Sequence, residues 1–175
     1  MKKLVLASIL LALVVIVLGA YTRLTDAGLG CPDWPGCYGK LGVPMTELTI
    51  DAANEAFPDR PVEIEKAWNE MIHRYFASAL GLSILIIACI AAFKRKVGQP
   101  LRLPILLLFL VCFQGALGMW TVTLNLLPVV VMGHLLGGFT VISCLFLLYL
   151  RMTPYQLPMG NSTMRDMAKF ALLGI

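Results

Sequence analysis

Residues 103–150 read LPILLLFLVCFQGALGMWTVTLNLLPVVVMGHLLGGFTVISCLFLLYL, 48 residues without one formal charge. A hydrocarbon layer about 30 Å thick takes about 20 apolar residues per crossing. The run is too long for one span and suits two. Asn125 and Pro128 interrupt it where a tight turn between antiparallel helices belongs. The pattern predicts helices over 103–122 and 128–150. Outward from there, residues 4–22 and 75–93 are each 19 uncharged residues and predict helices over 4–21 and 72–93. The fold class is therefore an all-α membrane protein built on a four-helix transmembrane bundle.

Composition agrees. The 175 residues are 59% hydrophobic and 14% charged, with a mean hydropathy of +0.83. Soluble domains are nearer half apolar and a quarter charged, and disordered or collagen-like chains are excluded. The net charge of +4, from 14 Lys and Arg against 10 Asp and Glu, is scattered between apolar runs. It reads as a topology signal and gives no reason to expect a nucleic-acid partner. Lys2 and Lys3 before the first run suggest a signal peptide, with Leu18 and Ala20 at the −3 and −1 positions of a cleavage site. Leu18 is larger than that site prefers and the run is long, so an uncleaved helix is expected. A fifth apolar run starts at Phe170 and meets the last residue, Ile175. The expectation is a four-helix N-terminal half over 1–165 and the start of a fifth helix over 166–175, as part of a larger protein. The alternative is a four-helix protein with a short docked tail.

The loops sort by charge. Lys2, Lys3, Lys94, Arg95, Lys96, Arg102, Arg151, Arg165 and Lys169 fall on one side. That side is expected to be cytoplasmic, which puts the N-terminus inside and the chain in the cell's inner membrane with multiple passes. The segment 22–71 and the turn near Asn125 fall on the other. Nine of the ten acids lie in 22–71, an acidic extracytoplasmic cap. Pro58 and Pro61 divide it. Pro61 is expected to open a helix, since its missing N–H is not needed in a first turn. Residues 63–70 would then run straight into the span from 72.

Cys89, Cys112 and Cys144 lie within predicted spans and read as small packing residues. Cys31 and Cys37 sit in residues 28–39, a tight loop with four Gly and two Pro. An oxidising compartment favours a disulfide between them, either a structural staple or a redox-active pair. Two thiols alone fall short of a four-ligand metal site. The two histidines are both in membrane segments, His73 at the outer end of one helix and His134 about one and a half turns into another. Ionisable groups in a membrane are functional candidates by default. Two at matching depth suit one metal held from opposite sides, as in a bis-His haem. Gly133, Gly137 and Gly138 around His134, and Ala77 and Gly81 after His73, would leave room for a flat macrocycle. Helix packing through small residues explains the glycines equally well. Glu70, His73 and Arg74 share one helical face. Glu70 and Arg74 form either a rim ion pair or a carboxylate placed beside a metal-bound ligand to handle protons. Gln114, with Gly115 and Gly118, is the strongly polar residue of its span, suited to an interhelical hydrogen bond or a ligand contact.

Residues 22–37, TRLTDAGLGCPDWPGC, resemble the signature of the haem A synthase family. Residues 70–74, EMIHR, resemble that family's Glu-x-x-His-Arg element, and residues 114–122, QGALGMWTV, and the stretch around His134 are similar to its third and fourth helices. The resemblance covers nearly the whole chain in order. It implies an eight-helix membrane enzyme of two similar halves that oxidises a ring methyl of haem O to the formyl group of haem A. On this resemblance His73 and His134 hold the iron of the substrate haem, Glu70 is the catalytic carboxylate, and Cys31 and Cys37 are the extracytoplasmic pair. Arg74, Gln114, Gly133 and Gly137 become candidate haem-pocket residues. It further implies a haem B in the second half, which this sequence lacks; membrane lipid is the expected surroundings, and a haem O synthase and a second copy of the chain, as a homo-oligomer, are candidate partners that the sequence itself does not reveal. A bis-His b-type cytochrome module and a membrane thiol oxidoreductase built on Cys31 and Cys37 remain as rival readings. A non-catalytic membrane assembly protein is a third, and it leaves the histidines unexplained.

Overall fold

The computed structural model describes residues 1–93 and 101–153. Within them lie five helices, α1 (Lys2–Leu24), α2 (Glu47–Ala56), α3 (Ile64–Phe93), α4 (Arg102–Thr123) and α5 (Pro128–Arg151). All but α2 are long and apolar enough to cross a membrane. The four predicted spans are therefore present; α1, α4 and α5 lie within a few residues of the expected ends, and α3 reaches back to Ile64 through the charged residues before its span. The expected fifth helix over 166–175 lies outside the described residues, as do 94–96, Arg165 and Lys169.

The four long helices close into a ring in which α1 packs on α3, α3 on α4, α4 on α5, and α5 on α1. Thus α1 and α4 face each other across one diagonal, α3 and α5 across the other. The outward faces are apolar. Leu10, Leu13 and Val17 of α1, Phe109 and Phe113 of α4, and Leu136 and Phe146 of α5 are all exposed. Such surfaces suit lipid, the solvent the sequence calls for. Inside, Val5, Ile84, Ile87, Leu107, Leu145 and Leu148 are fully buried in a core at the end away from the cap. Ser8 and Ser83, 3.0 Å apart, add a polar link between α1 and α3 of the kind that joins helices in lipid.

The cap, residues 25–63, holds the one element the sequence reading lacked. Helix α2 opens on a capping box in which Thr46 accepts from the Thr49 N–H and Thr49 accepts from the Thr46 N–H. It stops at Ala56, since Phe57 precedes Pro58 and is pushed out of the helical region. Pro61 does not open α3. The Val62 N–H is taken by Asn54 Oδ1 at 2.8 Å and the Pro61 carbonyl by the Tyr38 hydroxyl at 3.2 Å. These contacts keep Pro61 and Val62 out of the helix, and α3 begins at Ile64, so the expected run of 63–70 into the span is present. At 30 residues, about 45 Å at 1.5 Å per residue, α3 is longer than the hydrocarbon layer. The turn between α4 and α5 falls at Asn125 as expected, with Asn125 and Leu126 at φ 51° and 57° and Pro128 at the start of α5.

Candidate functional site

The site is built at the cap end of the bundle from one stretch of α3. Glu70, His73 and Arg74 lie within five residues, so their side chains leave a common face. Around Glu70 and Arg74 folds the cysteine loop. Gly30 sits so close to α3 that a Cβ would stand 2.5 Å from the Lys66 carbonyl carbon and oxygen, which only glycine tolerates. That approach brings the Cys31 N–H to Glu70 Oε2 at 2.9 Å. Arg74 donates to the carbonyls of Asp33 at 3.0 Å, Pro35 at 3.3 Å and Gly36 at 2.5 Å, and to Glu70 Oε1. Asp33 in turn accepts from the N–H groups of Tyr38 at 2.6 Å and Gly39 at 2.8 Å. A disulfide joins Cys31 to Cys37, and both are fully buried. Burial pushes the Tyr38 phenol above its ordinary range, which keeps its hydroxyl a donor.

Glu70 and Arg74 are thus no exposed rim pair. Glu70 is 4% exposed, because the loop covers it. Exposed pairs contribute about 0–1 kcal/mol, whereas a covered pair is strongly destabilised by losing one partner. The two residues clamp the disulfide loop onto the helix that carries His73.

His73 and His134 meet across the α3–α5 diagonal, their ring centroids 6.5 Å apart and their planes at 83°. Each imidazole rests on a glycine of the other diagonal. A Cβ on Gly19 of α1 would stand 2.9 Å from His73 Cε1, and one on Gly118 of α4 would stand 3.4 Å from His134 Cε1. The Nδ1 atoms of both histidines and Oε1 of Gln114 are buried without a partner. Gln114 Nε2 donates to the His134 carbonyl at 2.7 Å. Gly137 and Gly138 make room for Gln114, and Gly133 faces Leu117. The glycines beside His134 therefore serve the α4–α5 contact, while those that cradle the imidazoles are Gly118 and Gly19. Gly19 carries no signal that sequence reasoning could use, because its role arises only when α1 meets α3. Gly81 faces Val111.

The donor set suits haem iron. Among the described residues no three His, Cys, Asp or Glu side chains gather into a metal site, so a bare ion would lack ligands. A porphyrin brings four nitrogens and asks two of the protein. Two imidazoles with ring centroids 6.5 Å apart would supply those two ligands.

Residues 2–175 match the model of the COX15-CtaA family, described as cytochrome oxidase assembly protein. The chain belongs to this family. It is 50% identical to a haem A synthase of Shewanella oneidensis over 168 residues, 96% of this chain and 50% of that protein. A haem A synthase of a Bradyrhizobium species is 32% identical over 130 residues, 67% of this chain and 35% of that protein. One from Nitrosospira multiformis is 28% identical over 125 residues, 64% and 35% of the two. The chain spans half or less of the length of these relatives. No solved structure matches it. Family membership and four apolar spans make this member a multi-pass membrane protein.

Proposed function

We propose that this chain forms the substrate-holding part of a haem A synthase, an oxidoreductase that converts a ring methyl of haem O to the formyl group of haem A. The observation that carries this reading is the pairing of His73 and His134 across the bundle at 6.5 Å, each backed by a glycine. The two imidazoles would hold the haem iron, which supplies the redox chemistry. Glu70, one turn of α3 closer to the cap than His73, would be the carboxylate that takes or returns a proton. Gln114, with an unpartnered Oε1, and Arg74 complete the polar surroundings. The disulfide loop closes the cap end against water. A haem B belongs to the remaining part of the longer protein, a haem O synthase supplies the substrate, and the assembled enzyme is a homo-oligomer. The basic loops support an N-terminus in the cytoplasm of the cell, an inner-membrane location and a cap outside.

The test uses the full-length protein in detergent. His73→Ala and His134→Ala each remove one axial bond, and each should abolish the low-spin bis-imidazole absorption from this half. Retention of that absorption in both variants would refute the pairing. A second reading applies to Glu70, because its oxygens engage the Cys31 N–H and Arg74. On that reading it anchors the loop and takes no part in chemistry.

A further inference from the structure

Arg60 is a cation the site described so far does not use. It lies in the cap between α2 and α3, and its Nη2 donates to Asn125 Oδ1 in the α4–α5 turn. Its Nη1 is buried and has no partner. Among the described residues no carboxylate forms an ion pair with it. Glu63 pairs with Lys66 at 2.7 Å and Glu70 with Arg74, and Asp33 is bound to the Tyr38 and Gly39 N–H groups. A guanidinium whose N–H is covered yet unsatisfied is costly. An anion is the partner that relieves it, and a fork of N–H donors suits a carboxylate.

The place of Arg60 says which carboxylate. The contact of Gly28 with Leu126 and the bond from Arg60 to Asn125 tie the cap to the α4–α5 turn. From Pro128, where α5 begins, to His134 is six residues, about 9 Å along the helix. That distance is of the order of the reach from a porphyrin's centre to its carboxylate arms. We propose that Arg60, held by Asn125, is a substrate-binding residue that takes a propionate of the haem and so fixes which edge of the macrocycle faces the cap. This rests on the bis-His reading above.

The experiment titrates full-length protein in detergent, its other half already loaded with haem B, with iron protoporphyrin IX and with its dimethyl ester, following the absorption of the added haem. The free acid should bind wild type roughly 10–100-fold tighter than the diester, the scale of a hydrogen bond to a charged group. Arg60→Gln should collapse that ratio by weakening only the free acid. Asn125→Asp leaves Arg60 intact and sets a competing carboxylate against it, in a residue type that tolerates the left-handed backbone. It should have the same effect. If the free acid keeps its full advantage in both variants, Arg60 faces water or a lipid phosphate and the proposal falls. Equal binding of the two porphyrins by wild type overturns it too. Failure of the bis-His reading is separately visible, as a wild-type spectrum that His73→Ala does not change.

Discussion

Each carboxylate oxygen of Glu70 has a partner, Arg74 for Oε1 and Cys31 for Oε2, and each keeps a further lone pair. A proton-handling role and an anchoring role are therefore compatible in one geometry, and a substitution can weigh them. Glu70→Gln preserves shape but turns one acceptor into a donor, so either the Cys31 N–H or Arg74 faces an NH₂ group. The loop then loses one charge-assisted bond, about 1.5–3 kcal/mol, seen as faster proteolysis of the cap. If Glu70 handles protons, haem A extracted from cells should fall by about 10²–10⁴ while the bis-imidazole absorption persists. Normal haem A at normal protein abundance, with a cap that proteases cut more readily, would leave Glu70 an anchor. The burial behind this test was not legible in the sequence. The i, i+4 spacing of Glu70 and Arg74 was plain, but the loop that covers them folds back from some forty residues upstream.

Among the elements, the spans were readable because lipid demands long uncharged runs, which no local detail can counterfeit. Helix α2 was not, since ten residues with a Thr46–Thr49 capping box are a faint signal inside an acidic segment. The extension of 63–70 into the span is present from Ile64, and only Pro61 as its opening residue is not. Pro61 has the local chemistry of a helix start, and tertiary bonds from Tyr38 and Asn54 override it. The imidazole pair was read as a pair, while its supports, Gly19 and Gly118, became visible only in three dimensions. Gly19→Ala should press on His73 and lower haem affinity several-fold with helix content unchanged. The matched control is Gly115→Ala on α4, where an added Cβ meets nothing within 4 Å and helix propensity improves by about 0.5–1 kcal/mol. Circular dichroism and a haem titration on the two variants decide it, and equal affinities would remove Gly19 from the site.

For the whole molecule, the charge distribution predicts an orientation. A reporter fused at 94–96 should be active only in the cytoplasm, and one placed at Leu41 in the cap only outside; the reverse pattern would invert the topology. The ring order of the bundle also bears on the timing of synthesis. Spans emerge from the ribosome in sequence, and a chain that has inserted only α1 and α3 carries a single imidazole braced on Gly19. The second imidazole arrives with α5, the last of the four spans, and only the finished ring brings the two together. On the proposed function, half-made protein would offer a reactive porphyrin one weak bond where the finished ring would offer two. On that reading, delivery of the pigment would wait until the last of these helices has left the insertion machinery.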